Sequence, residues 1–256
     1  MEFFLICKKN NIETIHSLNN KGFFKDGLDF IAGLPAMKAE PLIVEKLQEH
    51  NALINIEDYH HSYPHCWRRK TPLIFTSTPQ WFISMESHKL RSKALKAIDD
   101  TTFYPSKGKE RLKSMIETRP DWCVSSQRVW GVPLPIFVNK KTKEILVDDD
   151  VIENIALIYE KEGSDCWFSD DPQRFLGNKY KAEEFNKLSE IVEVWFDSGS
   201  THSFVLEKRE DLKWPASMYL EGSDQHRGWF HSSLLESCGT RGRAPFESIL
   251  SHGFVV

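Results

Sequence analysis

The chain of 256 residues is 40% apolar and 27% charged, and its 33 basic and 37 acidic residues give a formal net charge of −4. This composition excludes low-complexity disorder and a collagen repeat, and it is not typical of a dedicated nucleic-acid-binding protein, which is usually basic. No run approaches the roughly 18 apolar residues of a membrane helix, so we expect a soluble, cytoplasmic protein without a membrane partner. At about 100–200 residues per domain, the length fits one large domain or two modest ones.

Cysteine and histidine positions bear on redox state and metal binding. Five cysteines are scattered without a Cys-x-x-Cys pair, which predicts reduced thiols rather than a disulfide framework or a zinc ribbon: Cys7, Cys66, Cys123, Cys166 and Cys238. Residues 60–66, HHSYPHC, place three histidines beside a cysteine and so contain possible nitrogen and sulfur ligands. Tyr63 and Pro64 interrupt any helix that would put them on one face, so we favour the absence of a metal site, with a metal site as the alternative.

The first half of the chain predicts helices and strands in alternation. Residues 40–50 have apolar side chains at helical spacing, whereas the apolar runs at 52–56 and 71–76 indicate strands, the second continued by PQWFISM. Residues 86–98 and 107–117 predict two helices, each with one apolar face and one basic face. Basic faces of this kind contact phosphates in some proteins, but a solvated surface is their more common explanation.

The second half predicts a hairpin, a helix and a loop-rich insertion before the chain returns to strands. Residues 132–138 predict a strand that turns through NKKTKE into EILV, although two prolines favour an edge position. Residues 149–160 predict an amphipathic helix, and the polar span 161–190 predicts an insertion rich in loops. The remaining predicted elements are strands over 191–196 and 218–220, a helix over 228–238 and a closing strand over SILSHGFVV.

Two of the predicted strands run directly into turns rich in small and acidic residues. Strand 191–196 is followed by DSGS, and strand 218–220 is followed by EGSDQ. In parallel α/β sheets, ligands bind just beyond the carboxyl ends of the strands. Asp197, Glu221 and Asp224 would there be able to accept hydrogen bonds from an amine or from ribose hydroxyls.

Five sequence blocks resemble the bacterial-type isoleucyl-tRNA synthetases, in the order and with the spacing of that family. The blocks are HSYPHCWRRKTPLIF (61–75), PQWFISM (79–85), RPDWCVSSQRVWGVPLPIF (119–137), VWFDSGSTHS (194–203) and YLEGSDQHRGWFHSSLL (219–235). The resemblance implies an α/β fold: an incomplete Rossmann-like class I synthetase catalytic core, joined to the C-terminal remnant of an inserted β-rich editing domain.

The resemblance also implies how the chain is divided. Residues 1–85 correspond to the editing-domain remnant, 86–138 to a return segment into the core, and 139–190 to a small insertion. Residues 191–256 correspond to the second half of the core, ending before the Lys-Met-Ser-Lys-Ser loop of the family. That loop and the His-x-Gly-His turn do not occur in these 256 residues. We therefore expect an internal piece of a larger enzyme that is inactive alone.

By resemblance, the intact enzyme is an isoleucine–tRNA ligase that uses ATP with Mg²⁺, isoleucine and tRNA-Ile. No tightly bound cofactor is expected in this chain, and the missing synthetase segments are expected partners. The alternative is a non-catalytic fragment that binds tRNA or complements a separately encoded part.

The site residues follow from the matching motif positions. Glu221 corresponds to a residue that binds isoleucyl-adenylate, and Gly222, Asp224 and Gln225 line the same groove. His252 is a candidate to face the nucleotide, although a packed or surface histidine is the more common explanation. Trp195 and Trp229 are the expected walls of the isoleucine pocket, with core packing as the alternative for both.

Two positions depart from the family pattern. Ser126 and Thr76 stand where the family usually has arginine. Each change removes a fork-shaped cation suited to phosphate or carboxylate. Together with the missing motifs, they motivate the hypothesis of a gene fragment that is drifting free of selection.

Overall fold

The computed structural model describes residues 6–7, 9–13, 15–19, 21–76 and 78–254. Contacts divide the chain into two compact units, Met1–Pro79 and Gln80–Val256. The boundary predicted from the sequence, between residues 85 and 86, lies a few residues further along and stays a prediction. Among the described residues, no helix is both long enough and apolar enough to cross a membrane.

The first unit contains helix α1 (Glu40–Glu49), as the helical spacing predicts. The strands predicted at 52–56 and 71–76 are wrong, since neither segment forms a ladder and only Pro72 takes part in an isolated bridge, with His65. Ile54 is fully exposed, so no packed neighbour favours an extended strand there. In the described part of this unit, β-structure is limited to isolated bridges.

The second unit contains most of the regular elements of the described chain. Its helices are α2 (Leu90–Asp99), α3 (Lys107–Glu117), α4 (Asp149–Glu162), α5 (Cys166–Ser169), α6 (Pro172–Leu176), α7 (Val194–Gly199) and α8 (Trp229–Thr240). Its strands are β1 (Phe82–Ile83), β2 (Thr102–Tyr104), β3 (Trp122–Cys123), β4 (Ser125–Ser126), β5 (Phe137–Asn139), β6 (Phe185–Lys187), β7 (Ile191–Val192), β8 (Tyr219–Gly222) and β9 (Ser248–His252).

A three-stranded parallel sheet forms the centre of the second unit. Its order is β2-β9-β8, and β9 pairs in parallel with both neighbours. Phe103, Tyr219 and Ile249 project from the three strands into the same buried cluster, where they meet Leu112 of α3 and Leu234 of α8. Helices on an apolar sheet face are the usual arrangement of parallel strands, because such strands require cover. The expected α/β class with a parallel sheet is therefore confirmed.

Several predicted helices and strands of this unit are confirmed. The helix at 107–117 agrees with α3, and the predictions at 149–160 and 228–238 agree with α4 and α8 to within two residues. The predicted strand at 218–220 is found as β8, and the closing strand is found as β9, although its predicted last two residues, 255–256, lie outside the described part.

Two other predicted elements are shorter in the structure than the sequence indicates. The helix predicted from residue 86 becomes regular only at Leu90, because His88 and Lys89 have positive φ values of 51° and 60°. The strand predicted at 132–138 is limited to β5 at its end. Pro133 and Pro135 have no N–H to donate to a ladder, which accounts for the late start. The predicted hairpin persists as a bridge between Val138 and Ile145.

The span 161–190 is more ordered than the predicted loop-rich insertion. It contains α5, α6 and β6, and it contributes to a second apolar cluster with Phe137 and α4. Trp167 is fully buried in that cluster, and its Nε1–H donates to the carbonyl oxygen of Leu188 at 2.8 Å. The sequence pattern missed this core because its apolar residues are separated by polar ones and meet only in the folded chain.

The strand predicted at 191–196 is wrong beyond its first two residues. Ile191 and Val192 form β7, which pairs antiparallel with β4, and the chain then enters helix α7. The Glu193 carboxylate accepts a hydrogen bond from the Trp195 N–H at 3.1 Å and so caps this helix. Asp197 therefore lies within a helix, and not beyond the carboxyl end of a parallel strand as predicted.

Candidate functional site

The carboxyl ends of β8 and β9 bring two predicted site residues side by side. Glu221 is in register with Ser251, and Gly222 is in register with His252. The Glu221 side chain is exposed, and its Oε1 accepts a hydrogen bond from the Gly222 N–H at 3.3 Å. A carboxylate is thus presented to solvent at the strand-end position where parallel α/β sheets bind ligands.

Gly222, Asp224 and His252 converge on one small space. A Cβ placed on Gly222 would lie 2.5 Å from Asp224 Oδ1 and 4.0 Å from His252 Cε1. No L-side chain fits there without moving Asp224, so glycine allows the Asp224 carboxylate to lie against the backbone of the turn. The His252 Nδ1 lies 2.6 Å from the Gly253 carbonyl oxygen, which leaves Nε2 as the nitrogen free of that contact.

Gln225 links this turn to helix α8. Its Oε1 accepts a hydrogen bond from the Trp229 N–H at 2.8 Å, and its Nε2 donates to Asp224 Oδ2 at 3.2 Å. The side chain therefore caps the helix and orients Asp224 at the same time. Its amide is engaged at both ends, which fixes the shape of the turn.

Trp229 is held rigidly between the sheet and α7. Its ring stacks on Tyr219 with a centroid separation of 4.1 Å and an interplanar angle of 2°. Its Nε1–H donates to the Ser198 carbonyl oxygen at 3.0 Å. The side chain is half-buried, so one part belongs to the core while another still borders the site.

Trp195 lies against the start of α8. A Cβ on Gly228 would fall 2.9 Å from two carbons of the Trp195 ring, so the indole approaches the bare backbone closely. The side chain is 42% exposed, unlike an ordinary core tryptophan. The structure thus places both tryptophans at the start of α8, next to the turn that contains Gln225.

The sequence patterns missed a buried carboxyl group between α7 and α8. Glu236 is 9% exposed, and its Oε1 has no hydrogen-bond partner among the described residues. Burial, and then the nearby Asp197, raises the pKa of Glu236 to about 9. Gly199 permits this packing, since a Cβ there would overlap Glu236 Oε1. The one available signal was a glutamate within an otherwise buried helical stretch.

The two basic helices are partly neutralised by local partners. Lys109 and Lys113 of α3 both pair with Asp99 of α2. Arg91 donates to Glu86 at 2.6 Å and to backbone carbonyls at the end of α3. These contacts neutralise part of the positive charge of the two helices and join the helices to each other.

The other sequence candidates lie elsewhere. Within the part of the chain that the structure describes, no group of three His, Cys, Asp or Glu side chains is arranged to hold a metal ion, and residues 60–66 form no helix. Ser126 borders a cleft of about 920 Å³ that Arg128 and Trp130 also line. Thr76 is exposed in the first unit.

Comparison with known proteins identifies the family. The family described as tRNA synthetases class I (I, L, M and V) matches residues 9–256. The chain belongs to this family. The class I synthetase chain is 71% identical to the isoleucine–tRNA ligase of Pelagibacter ubique over 99% of its own length, and 48% identical to that of Caldicellulosiruptor saccharolyticus over 100%. It spans 28% of the length of each of these relatives.

A solved structure is also similar to the class I synthetase chain. It is the methionyl-tRNA synthetase of Mycobacterium tuberculosis bound by methionyl-adenylate, with a TM-score of 0.41 and 17% sequence identity. The match covers 75% of this chain and 29% of the other.

Proposed function

We propose that this class I synthetase chain supplies the adenylate-binding platform of an isoleucine–tRNA ligase. The observation that carries the proposal is the convergence of Gly222, Asp224 and His252, next to the exposed Glu221, at the ends of two adjacent parallel strands. The identity to isoleucine–tRNA ligases over essentially the whole chain supports the choice of substrate. A cytoplasmic location follows from a role in translation.

The proposed reaction has two steps. The isoleucine carboxylate attacks the α-phosphate of ATP, forming isoleucyl-adenylate and releasing pyrophosphate, and a ribose hydroxyl at the end of tRNA-Ile then takes the isoleucyl group. Both steps need cations and donors that stabilise negative charge on the reacting phosphate or carbonyl. Mg²⁺ would support the ATP step in the intact enzyme, but the described residues offer no cluster for it, so this chain's residues are assigned to binding.

Each strand-end residue has a distinct binding role. The exposed Glu221 carboxylate accepts hydrogen bonds from the substrate ammonium or from ribose hydroxyls. Gly222 is proposed to let the adenylate approach the backbone of the turn, next to the Asp224 carboxylate that a Cβ on residue 222 would displace. Gln225 holds Asp224 in place, and His252 closes the nucleotide side of the groove.

Trp195 and Trp229 are proposed as walls of the isoleucine pocket. The stacking of Trp229 on Tyr219 and the seating of Trp195 on Gly228 make both rings rigid, so they can bound a slot for a branched aliphatic chain. Such walls reject valine only weakly, a limit for which isoleucyl-tRNA synthetase is itself the standard illustration. An editing domain compensates for this limit, and residues 1–85 are proposed as the C-terminal remnant of one.

The remaining segments complete the proposed organisation. Residues 86–138 form the return segment into a Rossmann-like core, 139–190 a small insertion, and 191–256 the second half of that core. Isoleucine, ATP and tRNA-Ile are the proposed substrates of the whole enzyme, and the missing synthetase segments are the proposed partners of this chain.

Titration of the chain with isoleucyl-sulfamoyl-adenosine, a non-hydrolysable adenylate analogue, tests the platform. Calorimetry is expected to show saturable binding that Glu221→Gln weakens about tenfold, since it removes a charge-assisted hydrogen bond. Glu210→Gln is the matched control, an exposed glutamate without an ion pair among the described contacts. Equal affinities for both variants would contradict the role of Glu221.

Activity assays separate the platform from a complete enzyme. We expect negligible isoleucine-dependent ATP–pyrophosphate exchange by the chain alone, because neither ATP-signature motif is present in it. Robust exchange above a Glu221→Ala control would overturn this expectation. A salt-resistant gel shift with tRNA, without analogue binding, would favour the non-catalytic tRNA-binding alternative.

A further inference from the structure

A further cavity lies at the start of α8, beside the proposed adenylate groove. That groove, called here the strand-end groove, is formed by Glu221, Gly222, Asp224, Gln225 and His252. Its volume is about 330 Å³, and its polar lining includes Arg119, Glu193, Arg227, His231 and Ser232. It shares the wall formed by Trp195 with the proposed isoleucine pocket. None of Glu221, Asp224, Gln225 and His252 lines it, so its polar groups are separate from those of the groove.

His231 is the unusual group of this cavity. Its side chain is only 3% exposed, and neither ring nitrogen makes a well-aligned hydrogen bond among the described residues, although the His226 backbone carbonyl approaches the ring. Burial, and then the charge of Arg119, lowers the pKa of His231 to about 3, so the ring is neutral at pH 7. Buried polar groups normally have partners, and a ligand in the cavity would provide one for the N–H of this ring.

Two guanidinium groups approach the same space without carboxylate partners. Arg119 lies over the Trp122 ring at 5.6 Å, and its buried Nε has no hydrogen-bond partner. Arg227 is exposed, and within the described chain neither arginine forms a salt bridge. Burial lowers the pKa of Arg119, because the guanidinium group is partly removed from water.

Glu193 is the acidic group that lines the cavity, and its carboxylate already accepts a hydrogen bond from the protein backbone. Its carboxylate caps α7 through the Trp195 N–H at 3.1 Å. Its attraction raises the pKa of Arg119, but by less than burial lowers it. With His231 neutral, two cations and one anion leave a net positive charge around the cavity.

The backbone adds to this positive field. Helix α8 has 12 residues and begins at Trp229, so Gly228, His231 and Ser232 surround its first turn. The N-terminus of a helix carries a partial positive charge that favours anions. The buried His231, the two arginines and the helix end therefore favour the same kind of ligand.

We propose that this cavity is a binding site for a phosphate-class oxyanion. A tetrahedral oxyanion has enough acceptor oxygens for both guanidinium groups and the His231 N–H at once. The Ser232 hydroxyl, which donates to the Trp229 carbonyl oxygen at 3.4 Å, lines the same cavity. Free phosphate and a phosphodiester of a nucleic acid share this chemistry. The site lies beyond the adenylate-binding role proposed above and does not depend on it.

Titration of the 256-residue chain with inorganic phosphate, at ionic strength held constant with chloride, tests the site. Calorimetry is expected to show saturable binding that sulfate displaces and chloride does not. Arg227→Gln and Arg119→Gln are each expected to weaken phosphate binding about tenfold or more, because each removes charge-assisted hydrogen bonds. Heat that follows ionic strength alone, without saturation, would overturn the proposal.

Arg243→Gln provides a matched control. Arg243 lies over the Trp214 ring at 5.7 Å, the same kind of contact that Arg119 makes with Trp122, but it does not line the cavity. Its replacement should leave phosphate affinity unchanged. Equal weakening by Arg243→Gln and Arg227→Gln would show general electrostatics and contradict a defined site. Arg227 is exposed, so its variant remains informative even if Arg119→Gln or His231→Leu does not fold.

His231→Leu and an RNA competitor sharpen the result. Leucine has no N–H that can donate to the anion, so this variant should weaken phosphate binding. It also buries no polar nitrogen, so the unfolding midpoint should be unchanged or raised. If the variant bound phosphate as tightly as the wild type, His231 would not be part of the site. Displacement of phosphate by a short single-stranded RNA, lost in Arg227→Gln, would identify a phosphodiester as the ligand, whereas phosphate binding without displacement would identify the free anion.

Discussion

The two units differ most in how much apolar side chain they remove from water. In the described part of Met1–Pro79, Ala39 is the one apolar residue that is fully buried. Gln80–Val256 contains two buried clusters, one around the parallel sheet and one around Trp167. Apolar burial is the main favourable contribution to folding, so the second unit contains most of the stabilising contacts. The proposed binding residues all lie in that second unit.

This difference shows why a precise site belongs to the second unit. Trp229 and Gln225 are fixed by packing and hydrogen bonds on several sides, which holds the strand-end groove in one geometry. Helix α1 of the first unit has no buried residue. The difference can be tested by changing single residues in each unit.

Phe230→Ala is expected to have the largest effect. Phe230 is fully buried in the sheet cluster, and removing a buried phenyl ring leaves a cavity, so the variant should lose about 3–5 kcal/mol of unfolding free energy. Urea denaturation followed by circular dichroism measures the loss. A loss below about 1 kcal/mol would mean that the cluster is loosely packed.

Glu236→Gln is expected to stabilise the second unit. The pKa of Glu236 is raised from 4.5 to about 9 in the folded chain, so the folded state holds a proton that the unfolded state releases between these values. Wild-type stability therefore falls as pH rises from about 4.5 to 9, and by linkage the penalty at pH 7 is about 3 kcal/mol. The variant should regain most of it and lose this pH dependence, measured as urea midpoints at several pH values. Parallel pH profiles would contradict a buried, protonated Glu236.

Leu47→Ala tests the first unit and should have a smaller effect. Leu47 lies on α1 and is 38% exposed, so its truncation should cost about 1 kcal/mol or less. Hydrogen-exchange mass spectrometry of peptides covering Glu40–Glu49 reports the local opening free energy. A loss as large as that of Phe230→Ala would show that the first unit has a tightly packed core and would remove the contrast between the units.

Asp148→Asn is expected to have the smallest effect, confined to acidic pH dependence. Asp148 caps α4 and accepts hydrogen bonds from Lys179 and Tyr180, which lower its pKa from 3.8 to about 2. Its ionised form therefore stabilises the fold above pH 3.8, and that contribution disappears as pH falls through 2. Wild type should have the higher unfolding midpoint at pH 6, with the difference shrinking towards pH 2. A difference in unfolding midpoint that does not change with pH would show that the shape of the Asp148 side chain, and not its charge, stabilises the fold.

Elements with a strong local pattern could be predicted from the sequence. Helices α3 and α4 have apolar residues at helical spacing over three or more turns, so their positions depend little on distant contacts. Short apolar runs are ambiguous by comparison. Residues 194–196 look extended in isolation, but Glu193 caps a helix there, and residues 52–56 find no strand to pair with.

The same distinction applies to the candidate site. Glu221, Gly222, Asp224 and Gln225 share one motif, so their grouping could be predicted from adjacent positions. His252 joins them through the register of β8 and β9, which depends on residues about thirty positions apart. The burial of His231 and Glu236 could not be predicted, since both lie on α8 among residues whose neighbours come from other helices.

The family motifs, the amphipathic helices and the strand-end turn could be predicted without the fold, because each depends on residues close together in the chain. The helical conformation of α7, the stacking of Trp229 on Tyr219 and the place of His231 in a cavity that two arginines line are known only from the fold. These features depend on which distant segments exclude water from a side chain. Burial and electrostatic environment are properties of the packed chain, and local spacing does not encode them.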